Sequence, residues 1–348
     1  MTKTDPSRAS VTLKDVAALV GVTSAAASMA LAGSSRISQK TREAVKKAAD
    51  DLGYVPSAAG RALRNQRAGA IALIVPNTSK HVFGHSYFMH VLTGMSTEAN
   101  IRDLQVVLST TTEQAGDVAA YDRVVRSRSA DGAIVTSAAV TDSNLEDLVA
   151  SGLPVVLIGN FPYLPRAVTV GIDDVAAGRE ITEHLLAQHG CTRLVHVTGP
   201  LDHQTGIDRR DGFLAAMDEA GLGDQAVIVE GDFSEEAGRA AVETLLDEGA
   251  VFDGIVFAND DMAFGGLEAL TARDIPVPGG VPIVGFDDFG LSRVTTPGIT
   301  TMHTPAEEMA ALASQRLFDL IEGVENVPAR SELPVRLVAR ASCGCLPG

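Results

Sequence analysis

The chain has 348 residues, of which 45% are hydrophobic, 4% are aromatic and none is tryptophan. That length accommodates two or three domains. No apolar run reaches the roughly 20 residues needed to span a bilayer, so no membrane association is expected, and three cysteines are too few for a disulfide scaffold. The net charge of −16 conceals a division: residues 1–68 hold 11 of the 28 Lys and Arg and 5 of the 44 Asp and Glu, a balance of +6, against −22 for the remainder. A basic head attracts phosphate and an acidic body repels it, so only the head is expected to touch nucleic acid.

The head opens with Val11-Thr12-Leu13-Lys14-Asp15-Val16-Ala17-Ala18-Leu19-Val20-Gly21-Val22-Thr23. Val16, Ala17 and Val20 share one face of a first helix, Gly21 permits a tight reversal and Val22 closes a small core. Thr12 and Thr23 are placed to cap the first helix and an alanine-rich second one. Ser38 caps a third, in which Ala44, Val45, Ala48 and Leu52 recur at helical spacing. Two short helices joined by a glycine-bearing turn suit insertion of the second into a major groove. Charge favours that reading, since the same hairpin also occurs in proteins that never meet DNA. In the next segment Pro56 can begin a helix of about two to three turns, but Gly60 interrupts it, so its stability alone is marginal.

From residue 69 short apolar runs alternate with helix-length segments. Strands are predicted over 70–75, 104–109, 133–136 and 154–158, then over 193–198, 226–230, 254–258 and 282–286, with a last one over 333–341. Helices such as 177–188 and 260–273 separate them. The fold class is therefore α/β: a three-helix headpiece and hinge helix, then two doubly wound parallel-sheet lobes with a cleft between them. The boundaries are 1–56 for the headpiece, 57–68 for the hinge and 69–348 for the two interleaved lobes.

Ligands in open α/β sheets lie beyond the carboxyl ends of the strands. The residues there are polar: Asn77, Asn160, Asn259 with Asp260, and Asp287 with Asp288. Amides and carboxylates suit the vicinal hydroxyls of a polyol, although each is equally at home capping a helix. The long loop 77–89 adds Phe83, Tyr87 and Phe88, of which at most one is expected to stack on a sugar ring. His81, His85 and His90 lack a completing ligand pattern, and the Cys343-Gly344-Cys345 pair is too close together for an ordinary zinc site, so neither metal nor cofactor is expected. Absence of Gly-x-Gly-x-x-Gly, Walker and Gly-x-Ser-x-Gly motifs argues against an enzyme.

Four motifs in order carry a resemblance that covers almost the whole chain: Val-Thr-Leu-x-Asp-Val-Ala at 11–17, Ser-x-x-Thr-Arg-Glu at 38–43, Leu-Gly-Tyr-x-Pro at 52–56, and Asn259-Asp260-Asp261-Met262-Ala263 with Gly285-Phe286-Asp287-Asp288. The chain resembles the LacI/GalR family of transcriptional regulators. This implies a sequence-specific regulator, expected to be a repressor, with DNA-binding residues Thr12, Leu13, Thr23, Ser24, Ala25, Ala26, Ser28, Met29, Ser38, Thr41 and Tyr54. In the hinge, Leu63 would wedge into the minor groove beside Arg61 and Arg64. The chain departs from the family where relatives commonly place threonine, arginine and asparagine at Ala26, Met29 and Ala32, which removes three polar readers.

For the cleft the resemblance implies an effector held by Arg209, in an Arg-x-x-Gly-Phe motif, with Asn259 and Asp287; Asp288 would brace the turn. The full expected set is Asn77, Phe83, Asn160, Arg209, Asn259 and Asp287. A sugar or sugar derivative suits it best, with a nucleobase or phosphorylated ligand as alternatives; a phosphate would want more cations than Arg209. His303 and Thr304 replace the Arg-Gln common in relatives, which weakens transfer of effector identity. A homodimer on a pseudo-palindromic double-stranded operator is expected, with 87–100 and 117–128 at its interface, in the cytoplasm and at the nucleoid. The competing class is a carbohydrate-binding protein without specific DNA readout; a secreted binder would begin with a signal peptide.

Overall fold

The computed structural model describes residues 11–54, 67–112 and 118–345. Contacts divide the chain into two units, residues 1–68 and 69–348. The first contains the helices Leu13–Val20, Ser24–Leu31 and Gln39–Leu52. The first two are set at 99° around the Gly21 turn, where Gly21 takes a φ of 72° that a side chain would resist. The core they share is built from small residues: Val16, Ala17, Ala27, Ala30, Val45, Ala48 and Ala49. Ala44, predicted inside, is exposed and Ala49 takes its place, four residues after Val45 on the same face.

The second unit has two six-stranded sheets. With strands numbered along the chain, the first contains β1 (Ala70–Thr78), β2 (Gln105–Thr111), β3 (Ala133–Thr136), β4 (Val155–Ile158), β5 (Val168–Gly171) and β11 (Arg330–Glu332), in the order β11-β5-β4-β3-β1-β2. The second contains β6 (Leu194–Thr198), β7 (Val227–Glu230), β8 (Gly254–Phe257), β9 (Ile283–Asp287), β10 (Thr300–His303) and β12 (Arg336–Val338), in the order β12-β10-β9-β8-β6-β7. Among the described residues all strand pairs are parallel except β10 with β12. Both faces of each sheet are covered, as parallel sheets require. Ile71, Leu73 and Val75 join one buried cluster while Ala72 and Ile74 join another.

Among the described residues the chain passes between the lobes three times, after β5, after β10 and after β11. The last passage replaces the single long strand predicted over 333–341. The Leu333 amide still donates to the Gly171 carbonyl in the first sheet at 2.9 Å, and pairing with the second sheet begins only at Arg336. The predicted 77–89 loop is also corrected. β1 runs on to Thr78, whose hydroxyl accepts from the His81 amide at 3.2 Å and starts the short helix Ser79–Gly84, followed directly by the helix Ser86–Ile101. β5 was missed because its four residues, Val168–Gly171, are too few to carry a clear periodicity.

Candidate functional site

In the headpiece, the cap signals fold as their chemistry dictates. The Thr12 amide donates to the Asp15 carboxylate at 2.8 Å, and the Thr23 hydroxyl accepts from the Ala26 amide at 3.1 Å. The Ser38 hydroxyl accepts from the Thr41 amide at 3.2 Å, and the two hydroxyl oxygens lie 2.8 Å apart. Arg42 braces the preceding loop by donating to the carbonyls of Ser34 and Ile37. Burial of Ala27 and Ala30 turns the opposite face of the second helix outward, presenting exposed Ser24 and Ala25 with half-exposed Ser28 and Met29. Leu13 and Tyr54, also read as DNA contacts, lie half-buried against the headpiece core. Arg61, Leu63 and Arg64 fall outside the described residues.

Between the lobes lies a cleft of about 1000 Å³, counted to its open mouth. Its polar floor depends on a close crossing of the helices Asp174–His189 and Gln204–Glu219. A Cβ at Gly212 would fall 2.2 Å from the Val175 carbonyl oxygen, and one at Gly178 would fall 2.8 Å from that of Arg209. The two glycines thus let one helix lay Arg209 directly against Asp174 of the other. Arg209 donates from Nε to Asp174 at 2.8 Å and from a terminal nitrogen to the Ala258 carbonyl at 2.5 Å, and it lies 3.5 Å from Asp287. Its guanidinium stacks 3.6 Å from the centre of the Phe286 ring.

The acids outnumber that cation. Asp174, Asp260 and Asp287 are all buried there or nearly so. Burial raises Asp260 well above the usual carboxylate range, with Asp287 adding to the effect. Burial also pushes Asp287 up to about 7, Arg209 opposing the rise and Asp261 and Asp174 adding to it. Asp287 therefore exchanges its proton near neutrality and alternates between accepting hydrogen bonds only and donating one. Tyr87, half-buried and 3.1 Å from the Thr136 hydroxyl, is pushed up by desolvation to about 12 and stays neutral. The rings of Phe88, Phe161, Phe233 and Phe289 complete the wall.

Not every predicted cleft residue arrives. Arg209, Asn160, Asn259 and Asp287 line it. Asn77 does not; its side-chain oxygen accepts from the next amide, Thr78, at 2.7 Å. Phe83 does not either, because the short helix that buries Val82 turns Phe83 out to solvent, 62% exposed. Asn160 donates across the cleft to Asp208 at 2.8 Å. Asn259 uses both polar atoms on the wall itself, accepting from the Met262 amide and donating to the Phe233 carbonyl. Asp288 braces the turn as expected, receiving Arg293, Arg340 and His303. Burial raises Asp288, but the bonds from Arg340 and Arg293 outweigh it and hold the carboxyl below its ordinary range. Sequence reasoning missed Asp174, Phe161, Phe233, Phe289 and Arg340. Of these only Asp174 carried a signal, an acid opening a helix directly after an apolar run.

Residues 12–57 match the family model for bacterial regulatory proteins of the lacI family, and residues 182–343 match that for a periplasmic binding protein-like domain. The chain is 32% identical over 339 residues to the HTH-type transcriptional regulator CelR of Thermobifida fusca, covering 95% of this chain and 98% of that one. It is 30% identical over 336 residues to the HTH-type transcriptional regulator DegA of Bacillus subtilis (strain 168), covering 95% and 97%. The solved structure of a CelR–cellobiose complex superposes with a TM-score of 0.71 at 30% identity, covering 95% of this chain and 99% of that one. A lac repressor dimer bound to operator and the anti-inducer ONPF superposes at 0.85 and 24% identity, covering 96% and 99%, a likeness of fold. With its helix-turn-helix followed by two interleaved parallel-sheet lobes, the chain belongs to the LacI family of DNA-binding transcriptional regulators, a family of regulators and not of enzymes.

Proposed function

We propose that the protein is a cytoplasmic repressor that binds a pseudo-palindromic operator as a homodimer and whose operator affinity is set by a sugar held between the two lobes. In this reading residues 1–56 are the DNA-binding headpiece, 57–68 the hinge and 69–348 the effector-binding and dimerisation core. The observation that carries it is Arg209, locked between Asp174 and Asp287 opposite a wall of phenyl rings. Fixed donors and acceptors facing apolar rings complement a sugar, which offers hydroxyls at its edge and C–H groups on its faces. Arg209 is already paired with Asp174 and Asp287, which leaves it no free charge for a phosphate and favours a neutral ligand. Exposed Ser24 and Ala25, with Ser28 and Met29 beside them, would meet the major groove, and exposed Lys14, Arg36, Lys40, Lys46 and Lys47 supply positive charge for phosphates. The relative CelR is seen with cellobiose, which makes that disaccharide the first ligand to try.

The lobes are joined across the cleft by Asn160–Asp208 and by His85–Asp261 at 3.4 Å, so a ligand that alters closure acts on both contacts. Effector and operator affinities are then reciprocally linked. Selection of bound duplexes from a randomised pool, repeated with cellobiose and a panel of other sugars, tests the whole reading. Enrichment of one palindrome, erased or strengthened by one sugar, is expected. A pool with no enriched palindrome in any condition overturns the operator half, and a palindrome indifferent to every sugar overturns the effector half.

A further inference from the structure

Away from the cleft, four side chains from opposite ends of the second unit converge. His184 and His189 lie in the last turns of the helix Asp174–His189, which Gly190 terminates with a φ of 69°. Cys343 ends the 3₁₀ turn Ala341–Cys343, and Cys345 follows it. Their ligand atoms all fall within 4.8 Å of one another. Nε2 of His184 lies 3.3 Å from Nε2 of His189, 3.4 Å from Sγ of Cys343 and 3.6 Å from Sγ of Cys345, and Nε2 of His189 lies 3.5 Å from Sγ of Cys345.

We propose that His184, His189, Cys343 and Cys345 form a tetrahedral zinc site that fastens the C-terminal segment to the second lobe. Zinc bonds of about 2.3 Å to sulfur and about 2.0–2.1 Å to nitrogen, arranged tetrahedrally, separate two nitrogens by about 3.3 Å and a nitrogen from a sulfur by about 3.5 Å. The four measured separations sit at those values. Two thiolates with two imidazoles is a donor set that selects zinc, and the metal would displace one proton from each cysteine to solvent.

The local backbone serves the same end. Gly344 adopts a φ of 103°, which folds the chain back so that both sulfurs face the helix end. A Cβ there would lie in ordinary contact with the His189 ring, 3.4 Å from Nδ1, so it is the backbone conformation that calls for glycine. Cys343 is buried, its sulfur 3.0 Å from the Thr300 hydroxyl oxygen, and Thr300 in turn donates to the Arg340 carbonyl at 2.9 Å, tying the turn to β10. Just upstream, the Ser342 hydroxyl donates to the Ile283 carbonyl and accepts from the Thr300 amide, while Arg340 donates to Asp288. The clip therefore holds the segment that carries Arg340 to the turn beside Asp287. A cysteine pair judged from its own spacing looks inert; the histidines lie more than 150 residues upstream.

The test uses the full-length protein, produced in zinc-supplemented medium and purified without chelator. Elemental analysis is expected to find one zinc per chain. After chelation, cobalt(II) should give the intense visible bands of a tetrahedral site together with sulfur-to-cobalt charge transfer. Chelation should lower the Tm by several degrees and added zinc should restore it. Cys345→Ser and His189→Gln should each lose the metal and the cobalt spectrum, whereas Cys191→Ser should keep both. Should a variant fail to fold, the wild-type metal content and cobalt spectrum decide the matter alone. Metal-free wild-type protein that gives no tetrahedral cobalt spectrum overturns the site, as does a mass showing Cys343 and Cys345 joined in a disulfide after purification.

Discussion

The headpiece and the effector cleft handle charge in opposite ways. The headpiece leaves Lys14, Arg36, Lys40, Lys46 and Lys47 in water around a core made largely of alanine. The cleft withdraws Asp174, Arg209, Asp260 and Asp287 from solvent or nearly so. Exposed cations cost no desolvation and act on phosphates over about 10 Å, weakening as salt rises. Buried charges cost several kcal/mol each and survive only when partnered, but they hold their geometry and so can discriminate between hydroxyl arrangements. One region is built for attraction followed by surface fit, the other for selection inside a preformed site.

Removing the central partner of the cleft should expose that contrast most strongly. Arg209→Met leaves Asp174 and Asp287 without their cation and is expected to cost roughly 3–5 kcal/mol. Thermal unfolding should show the core transition falling and titration should show the sugar response gone; an unmoved transition would mean the carboxylates are not held by Arg209. In the headpiece, Val45→Ala opens a small void in a core with little else to fill it, at roughly 1–3 kcal/mol. Operator affinity should drop while calorimetric sugar binding stays as in the wild type.

The proton on Asp287 offers a finer probe. Its carboxyl is held by burial at about 7 against an ordinary 3.8, so between those values the folded protein keeps a proton the unfolded chain has released. Its contribution to stability is present below about pH 4 and is lost as the pH rises to about 7. His196, buried and held near 4, acts in the opposite sense, losing its contribution as the pH falls from about 6.5 toward 4. Comparing wild type with Asp287→Asn separates the two. A sugar hydroxyl that donates to the ionised carboxyl makes affinity rise with pH, by at most about tenfold per unit, and level off above about 7, and the variant should flatten that rise. The smallest effect is expected for Thr23→Ala, which removes the cap on the second helix at about 1 kcal/mol; unchanged operator binding would show that the cap does not position the reading face.

Legibility follows the same divide. The headpiece could be read because Thr23 finds Ala26 three residues away and Ser38 finds Thr41 at the same spacing. Its one core error, Ala44 for Ala49, is a slip of helical phase. In the cleft, Arg209, Asn259 and Asp287 were reachable because they stand in motifs or directly after strands. Phe161, Phe233 and Phe289 come from three separated loops; Phe161 and Phe289 stand directly beside Asn160 and Asp288, but an apolar ring there fits a core as well as a cleft. Phe83 failed for a local reason: the segment read as a loop folds into the short helix Ser79–Gly84, which buries Val82 and leaves its neighbour Phe83 in water.

What the amino-acid sequence determined by itself was the punctuation: caps, turn glycines, the alternation of apolar runs and the separation of basic head from acidic body, all set by interactions within a few residues or by composition. The three passages between lobes, the Arg209–Asp174 pairing across Gly178 and Gly212, and the meeting of His184 and His189 with Cys343 and Cys345 were decided by tertiary structure. Each depends on backbones brought within a few ångströms by packing, and a burial that shifts a carboxyl to about 7 exists only once the solvent has been displaced.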